Sequence, residues 1–349
     1  RNGDLVNACY LQVDLTYAGG TSPSQPYFPL EELVESVELE IGGSRIDRHS
    51  STWFRVYDEL FRTDEEKAAY ARIANFAPED VNGTHAVTRR LYLPLIFFFN
   101  KSPEQALPLI SLAFHEVKIN FTFKADAPAG IDRDAGFSAS LWCSYVFLDQ
   151  AERKRFSEQA IEMLIEQTQD TGAESVPSGT GKRTMNVRLS YNHPVKALFW
   201  CFSGDRKFGH FNNAPVPKWL PAPDEKWATQ ANPDAFYNDA YAPLLEGKLA
   251  LNGHDRFASR AGSYLSYIQA MQYFKARPQA GIYAYSFCTE PRKSTQPTGS
   301  CNFSRIDQQV SDSATDGTAA SSLTQLNIMA LNWNVLRISS GMAGTLFSN

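Results

Sequence analysis

His115-Glu116 is the pair whose types most invite a chemical reading. A zinc protease sets two histidines four positions apart on one helix face, with a glutamate between them as base. In HEVKI the second histidine is missing, and Val117, Ile119, Phe121 and Phe123 alternate with Lys118, Asn120 and Thr122 as the two faces of a strand do. A strand cannot bring the two ligands of that motif together. Asp132 and Asp134 are close enough for paired acid–base carboxylates. They stand in a Gly/Ala/Asp stretch, however, where turn formation accounts for them. No GxSxG, Walker or dinucleotide fingerprint occurs, and the six histidines are scattered. The sequence therefore predicts no catalytic, cofactor-binding or metal-binding residue.

Arg45, Arg48, Arg55 and Arg305 could hold an anion, but arginines dispersed among carboxylates more often form ion pairs at domain or subunit surfaces. Asn82, Asn100, Asn120 and Asn302 each open a glycosylation sequon. Asn82, in a stretch with Pro78 and Gly83 that reads as an exposed loop, is the candidate acceptor.

The elements around these residues read mainly as strands. Leu11, Val13, Leu15 and Tyr17 alternate with polar residues up to Gly19-Gly20, and Val37, Leu39 and Ile41 do so up to Gly42-Gly43. Thr52 to Phe76 changes to helical spacing through Phe54, Tyr57 and Phe61, with Asp64 to Lys67 as a solvated face. Leu91 to Phe99, interrupted by Pro94, reads as a strand buried on both sides or covered at an edge, Asn100 to Pro108 as a loop, and Leu141 to Leu148 as a further strand. Between Asp149 and Asp170, Phe156, Ala160 and Leu164 with Ile161 and Ile165 fit one apolar helical stripe, which predicts a connecting helix. Thr171 to Lys182 is a linker by composition. Met185, Val187, Leu189 and Tyr191 then restart the alternation, Leu198 to Phe202 is an apolar strand, and Ser203 to Pro243 is a long Pro- and Trp-containing excursion.

The chain of 349 residues exceeds one usual core, and 43% hydrophobic and 13% aromatic residues supply packed sheets. A net charge of −5 argues against a protein that neutralises phosphates, so no direct nucleic-acid contact is expected. The five cysteines, odd in number and without a CxxC pair, read as buried thiols of a reducing compartment rather than a disulfide framework. No apolar run is long enough to span a membrane as a helix.

An internal repeat gives these strands an order. VELEIGG (Val37 to Gly43) returns as GKLALNG (Gly247 to Gly253), followed at equal offset by Phe54 and Tyr57 in one copy and Tyr264 and Tyr267 in the other. Phe98, Pro108 and Phe114 likewise match Phe287, Pro297 and Phe303. Repetition over so long an interval implies two copies of a whole β-sandwich domain. The expected organisation is a first domain over 1–150, a connecting helix and linker over 151–184, and a second domain over 185–349.

The blocks LEELVESVELEIGGSRIDRHSSTWFRVYDELF, LYLPLIFFFNKSPEQALPLISLAFHEVKINF, VFLDQAERKRF, LNGHDRFASRAGSYL, GIYAYSF, CNFSRID and NVLRISSGMAGTLFSN closely resemble the major capsid protein of the nucleocytoplasmic large DNA viruses, in its chlorovirus and phycodnavirus form. The resemblance implies an all-β chain of two tandem eight-stranded jelly-roll β-sandwiches with short helical insertions, and a leading segment ahead of Arg1 that supplies a further strand. It also implies a homotrimer with a pseudo-hexagonal outline, neighbouring capsomers and minor capsid or cement proteins as partners, and an icosahedral shell over an inner membrane. Assembly would take place in the host cell cytoplasm. The rival readings are a carbohydrate-binding sandwich using Trp219 and Trp227, and a sandwich hydrolase with clustered acids.

Overall fold

The computed structural model describes residues 3–17, 28–75, 86–126, 131–132, 135–177, 183–204, 244–276, 278, 281–305, 308–314 and 323–347. Strand β1 (Leu5–Tyr17) is the spine of the first unit. Its inward residues Leu11, Val13, Leu15 and Tyr17 are all buried, as their alternation requires. A short helix α1 (Pro29–Leu33) leads into β2 (Val34–Ile41), which turns into β3 (Ser44–Ser50). The turn takes Gly42 and Gly43 at φ 59° and 83°, the left-handed pair that a two-residue hairpin matching strand twist demands.

Helix α2 (Ser51–Phe61) starts where the Ser50 hydroxyl accepts from Trp53 N–H, and α3 (Asp64–Ala74) starts on a reciprocal Thr63–Glu66 capping box. Asp64, Glu65 and Glu66 are exposed as expected, but Lys67 is fully buried against Glu59. Strand β4 (Val87–Pro94) ends at its proline, and Phe98–Lys101 forms the single turn α4. The expected strand to Phe99 is thus half realised: Pro94 ends the ladder, and Phe97, Phe98 and Phe99 are buried from a turn instead. Then come β5 (Leu107–Pro108), β6 (Val117–Phe123), β7 (Ile131–Asp132) and β8 (Ser138–Val146). Two sheets result: one centred on β1 with β4, β5, β7 and β8, and one in the order β3-β2-β6.

Helix α5 (Gln150–Glu158) is capped by the Asp149 carboxylate on Glu152 N–H. The predicted connecting helix stops there, because Ile161–Ser175 is strand β9, paired along its length with a later strand. Ile161, Met163 and Ile165 satisfy a period of two as well as a helical stripe, and long-range pairing decides between them. Part of the expected 151–184 connection is therefore sheet of the second unit.

The second unit continues with β10 (Arg183–Leu189), β11 (Pro194–Gly204), β12 (Leu244–Leu251) and β13 (His254–Ala261). Wide π-type helical turns at Tyr264–Ile268 and Ala270–Phe274 follow, then β14 (Ile282–Ser286), β15 (Cys301–Asn302), β16 (Gln308–Ala314), β17 (Leu323–Ser339) and β18 (Met342–Thr345). One sheet runs β10-β16-β12-β13; the other runs β14-β11-β17-β18, with β15 on β11 and β9 on β17. The fold is all-β, two jelly-roll sandwiches with short helical insertions.

The repeat is visible in detail. β12 and β13 repeat β2 and β3, and Asn252 and Gly253 take φ 52° and 76° where Gly42 and Gly43 stand. A helical stretch follows the hairpin in both copies. The proline match is shifted: β5 pairs the start of β1 at Leu5–Val6, whereas β15, not Pro297, pairs the start of β11. Phe114 and Phe303 are not equivalent either, one being 79% exposed and the other buried. Among the described residues, β9 and β10 have no counterpart in the first unit, and β8 and β6 are bonded on one edge.

Candidate functional site

Strand β11 shows how the two units are joined. Leu198, Trp200 and Phe202 face the core of its own sandwich, while Ala197, Phe199 and Cys201 face a core continuous with the first unit. A strand buried on both faces needs the unbroken apolar run LFWCF. Trp53 and Phe61 of α2 lie against Phe199 with ring centroids 5.4 and 5.8 Å apart, and Phe274 closes the group at 5.5 Å from Phe61. The helical excursions of both copies therefore meet at one aromatic seam.

Charges cross the seam as well. Glu166 of β9 accepts from Lys101 Nζ at 2.7 Å and from Lys196 Nζ of β11, which also donates to the Lys293 carbonyl at 2.8 Å. All three side chains are buried or nearly so. Burial works against the Lys101 charge, yet Glu166 outweighs it and holds that ammonium above the ordinary lysine range; for Lys196 burial wins and lowers it. Gln105 Nε2 donates across the same seam to the carbonyls of Leu164 and Ser294 at 3.1 and 2.9 Å.

Asp47 of β3 makes a third crossing. Its Oδ1 accepts from the Thr168 N–H and hydroxyl at 2.9 and 3.0 Å, and its Oδ2 lies 2.9 Å from His49 Nε2. Burial alone would raise this carboxyl, but the His49 ring and the Thr168 N–H outweigh it and hold it below the ordinary aspartate value of 3.8. The unfolded chain then takes up the proton first as pH falls, so this contribution is present above that value and is lost as pH drops through the folded one. Asp47→Asn should cost about 2 kcal/mol at neutral pH in urea unfolding, with the deficit closing toward ~pH 3. A deficit unchanged over that range would show that the charge plays no part.

The residues singled out for chemistry do not converge. His115 Nδ1 accepts from Ala343 N–H at 3.0 Å, and its ring lies where any Cβ on Gly42 would stand, so it fastens β18 to the first hairpin. Asp132 Oδ1 accepts from Ala135 N–H, a turn contact; Asp134 lies outside the described residues. Arg45 and Arg48 pair with Glu38 at the surface, and Arg55 is buried among acids. Nothing is described of the Arg305 side chain, and Asn82, Trp219 and Trp227 also lie outside the described residues. Asn120 donates to Glu40. Among the described residues no cluster of three metal-ligating side chains occurs, and no helix is long and apolar enough to cross a membrane. A crevice lined by Leu198, Trp200, Lys248, Leu249 and Phe257 has no room for a water molecule.

The described surface carries large apolar side chains instead. Phe114, Phe147, Trp142, Met342, Leu346 and Phe347 are each at least half exposed, and the Phe114 N–H bonds to the Gly341 carbonyl beside Met342. Exposed apolar side chains become contact surfaces for other proteins where they lie together as a patch. Trp142 and Phe147 were legible as part of an aromatic strand, but not which face of it stays open.

Residues 1–149 match the family model described as the major capsid protein N-terminus, and residues 152–344 match that of the large eukaryotic DNA virus major capsid protein. The chain belongs to the major capsid proteins of large eukaryotic DNA viruses. The major capsid protein of Paramecium bursaria Chlorella virus 1 is 41% identical over all of this chain and 86% of its own length. That of Pyramimonas orientalis virus is 35% identical over all of this chain and 85% of its own. The crystal structure of PBCV-1 VP54, fitted into a reconstruction of the virophage Sputnik, superimposes with a TM-score of 0.86 at 39% identity, covering all of this chain and 91% of that one. A quasi-atomic structure of the PBCV-1 capsid gives 0.85 at 38%, with the same coverage. Faustovirus major capsid protein, 12% identical with a TM-score of 0.63 over 97% of this chain and 86% of its own, shares the fold.

As a member of that family it is a structural protein of the virion shell. Neither the carbohydrate-binding nor the hydrolase reading gains support from these relatives. The aromatic and charged seam joins one sandwich to the other within the subunit.

Proposed function

We propose that this capsid protein assembles as a homotrimer whose two sandwiches per subunit present six similar corners. The carrying observation is that both units repeat one plan, hairpin then helix, and are locked together by the Phe199 and Glu166 seam. Three rigid pairs around a threefold axis then approximate a hexagon, and hexagonal tiles cover an icosahedral shell with few distinct contacts. Obligate subunit contacts commonly bury more than about 2,000 Å², for which the exposed aromatic and methionine side chains are suited. Contacts between tiles are expected to be smaller and polar, so that many weak links add up while errors can still reverse. The same reading puts the boundary between units at α5, minor capsid proteins at the tile edges, the viral membrane on the inner side, and assembly in the host cytoplasm.

Sedimentation of the purified full-length protein should give a species of three times the chain mass, and electron micrographs of it should show six-cornered particles. A species that stays monomeric at high concentration, or a round unlobed outline, would end the proposal.

A further inference from the structure

Cys9 and Cys143 face each other across β1 and β8 as direct register partners. The Cys9 carbonyl accepts from Leu95 N–H at 3.0 Å on the β4 side. A strand residue points its N–H and C=O to the same edge, so toward β8 Cys9 is a non-hydrogen-bonded position, where opposed Cα atoms come within about 4.5 Å. That separation lies within the range a disulfide spans, roughly 4.4 to 6.8 Å. The two sulfurs are 3.1 Å apart, inside the contact distance of unbonded sulfur atoms, and both cysteines are free thiols. Cys9 is buried in the sheet core, while Cys143 is half-buried on a strand that, among the described residues, is paired on one edge.

We propose that Cys9 and Cys143 form a redox-controlled disulfide that ties strand β8 to the central strand β1 when the protein meets a small-molecule disulfide such as oxidised glutathione. Cys143 is placed as the attacking group: the Cys9 thiol donates to it and lowers its pKa to about 7, whereas Cys9 is pushed far up, first by that same bond and then by burial. The Cys143 thiolate attacks one sulfur of the oxidant, breaking its S–S bond, releasing one thiolate and leaving a mixed disulfide on Cys143. Cys9 then gives up its proton to the released thiolate and attacks Cys143 Sγ, expelling the second glutathione thiolate, which takes a proton from solvent. Two cysteine thiols are oxidised by two electrons and one disulfide is reduced to two thiols.

The bond would close a loop whose ends are 134 residues apart, a long one, so its effect on the unfolded chain is near the upper end for disulfides. It would act on a strand that, among the described residues, is held in the reduced protein by one ladder. A shell built in a reducing medium would thus stiffen on reaching an oxidising one, with no change of shape.

The test is to equilibrate the full-length protein in oxidised or reduced glutathione, block free thiols, and map peptides without reduction. In the oxidised sample the peptides carrying Cys9 and Cys143 should be joined, and the melting temperature should rise by roughly 5 °C or more over the reduced sample. Cys143→Ser should abolish both the link and the rise. Cys9→Ser should leave one glutathione trapped on Cys143, and Cys9→Ala, which packs as a smaller apolar residue, should do the same if the serine folds poorly. A wild-type protein in which Cys143 stays a free thiol, or keeps the glutathione adduct beside an unreacted Cys9, would overturn the proposal.

Discussion

Glu166→Ala is expected to cost about 3–5 kcal/mol of stability at neutral pH, measured by urea or thermal unfolding, because it leaves two buried ammonium groups facing each other without their shared ion-pair partner. Lys101 comes from the first unit and Lys196 from the second, and Glu166 is the carboxylate bonded to both. Lys196→Met should be far milder, under ~2 kcal/mol, since it removes the more deeply buried cation, keeps most of the volume, and leaves the Lys101–Glu166 pair intact. The double variant should be less damaged than the two single losses added together, the deficit in additivity measuring the coupling. A Glu166→Ala protein within ~1 kcal/mol of the parent would mean that the charge cluster adds little to the seam beyond its apolar packing and its other polar crossings. Trp53, Phe61, Phe199 and Phe274 supply that packing, but rings tolerate small rotations. A buried carboxylate between two fixed ammonium groups adds a directional constraint, which suits a subunit whose two halves must keep one mutual orientation.

How much of this could be read from residues alone differs by element. The β2–β3 hairpin announced itself, since alternation on Val37, Leu39 and Ile41 runs into a Gly-Gly turn and the copy at Gly247 to Gly253 ends in Asn-Gly. Strand β6 showed one half-buried face in sequence and in structure. Strand β9 did not, because Ile161 to Ile165 satisfies helix and strand periods alike and its pairing with β17 is set by contacts far away in the chain. Lys67 and Glu166 were illegible for a different reason. A lone charge in sequence reads as solvated, and its burial becomes tolerable only through a partner: Glu59 for Lys67, and Lys196, 30 positions away, for Glu166. The thiol pair is a third case, since residues 134 apart meet only once the register of β1 and β8 is known. Local periodicity carries the sheets, then, while the groups that fix one unit on the other are products of topology.

Arg55→Met should show the second large effect, about 3–5 kcal/mol at neutral pH, and with a pH dependence that identifies its cause. Arg55 is buried over the Phe28 ring at 4.0 Å and serves three acids: Asp58, Glu31 at 3.5 Å and Glu59 at 3.6 Å. Without it Asp58 keeps Arg62 at 2.6 Å and Glu59 keeps Lys67 at 3.4 Å, but Glu31 keeps mainly the Tyr70 hydroxyl, which donates to it at 2.6 Å. Burial already raises the Glu31 carboxyl in the parent, with Arg55 the first of the groups opposing that rise. In the variant the folded-state value climbs further above the ordinary glutamate value of 4.5, so the folded protein binds a proton that the unfolded chain does not. Stability of the variant relative to the parent must then increase as pH falls from about 7 toward about 5, before unfolded carboxyls begin to titrate. Adding Glu31→Gln should recover much of the neutral-pH loss and flatten the pH dependence, because the buried charge and the proton it would take up are both gone. A deficit that stays constant across that pH range would place the damage in lost packing of the Arg55 stem on Phe28, and the buried charge network would then be incidental to the fold.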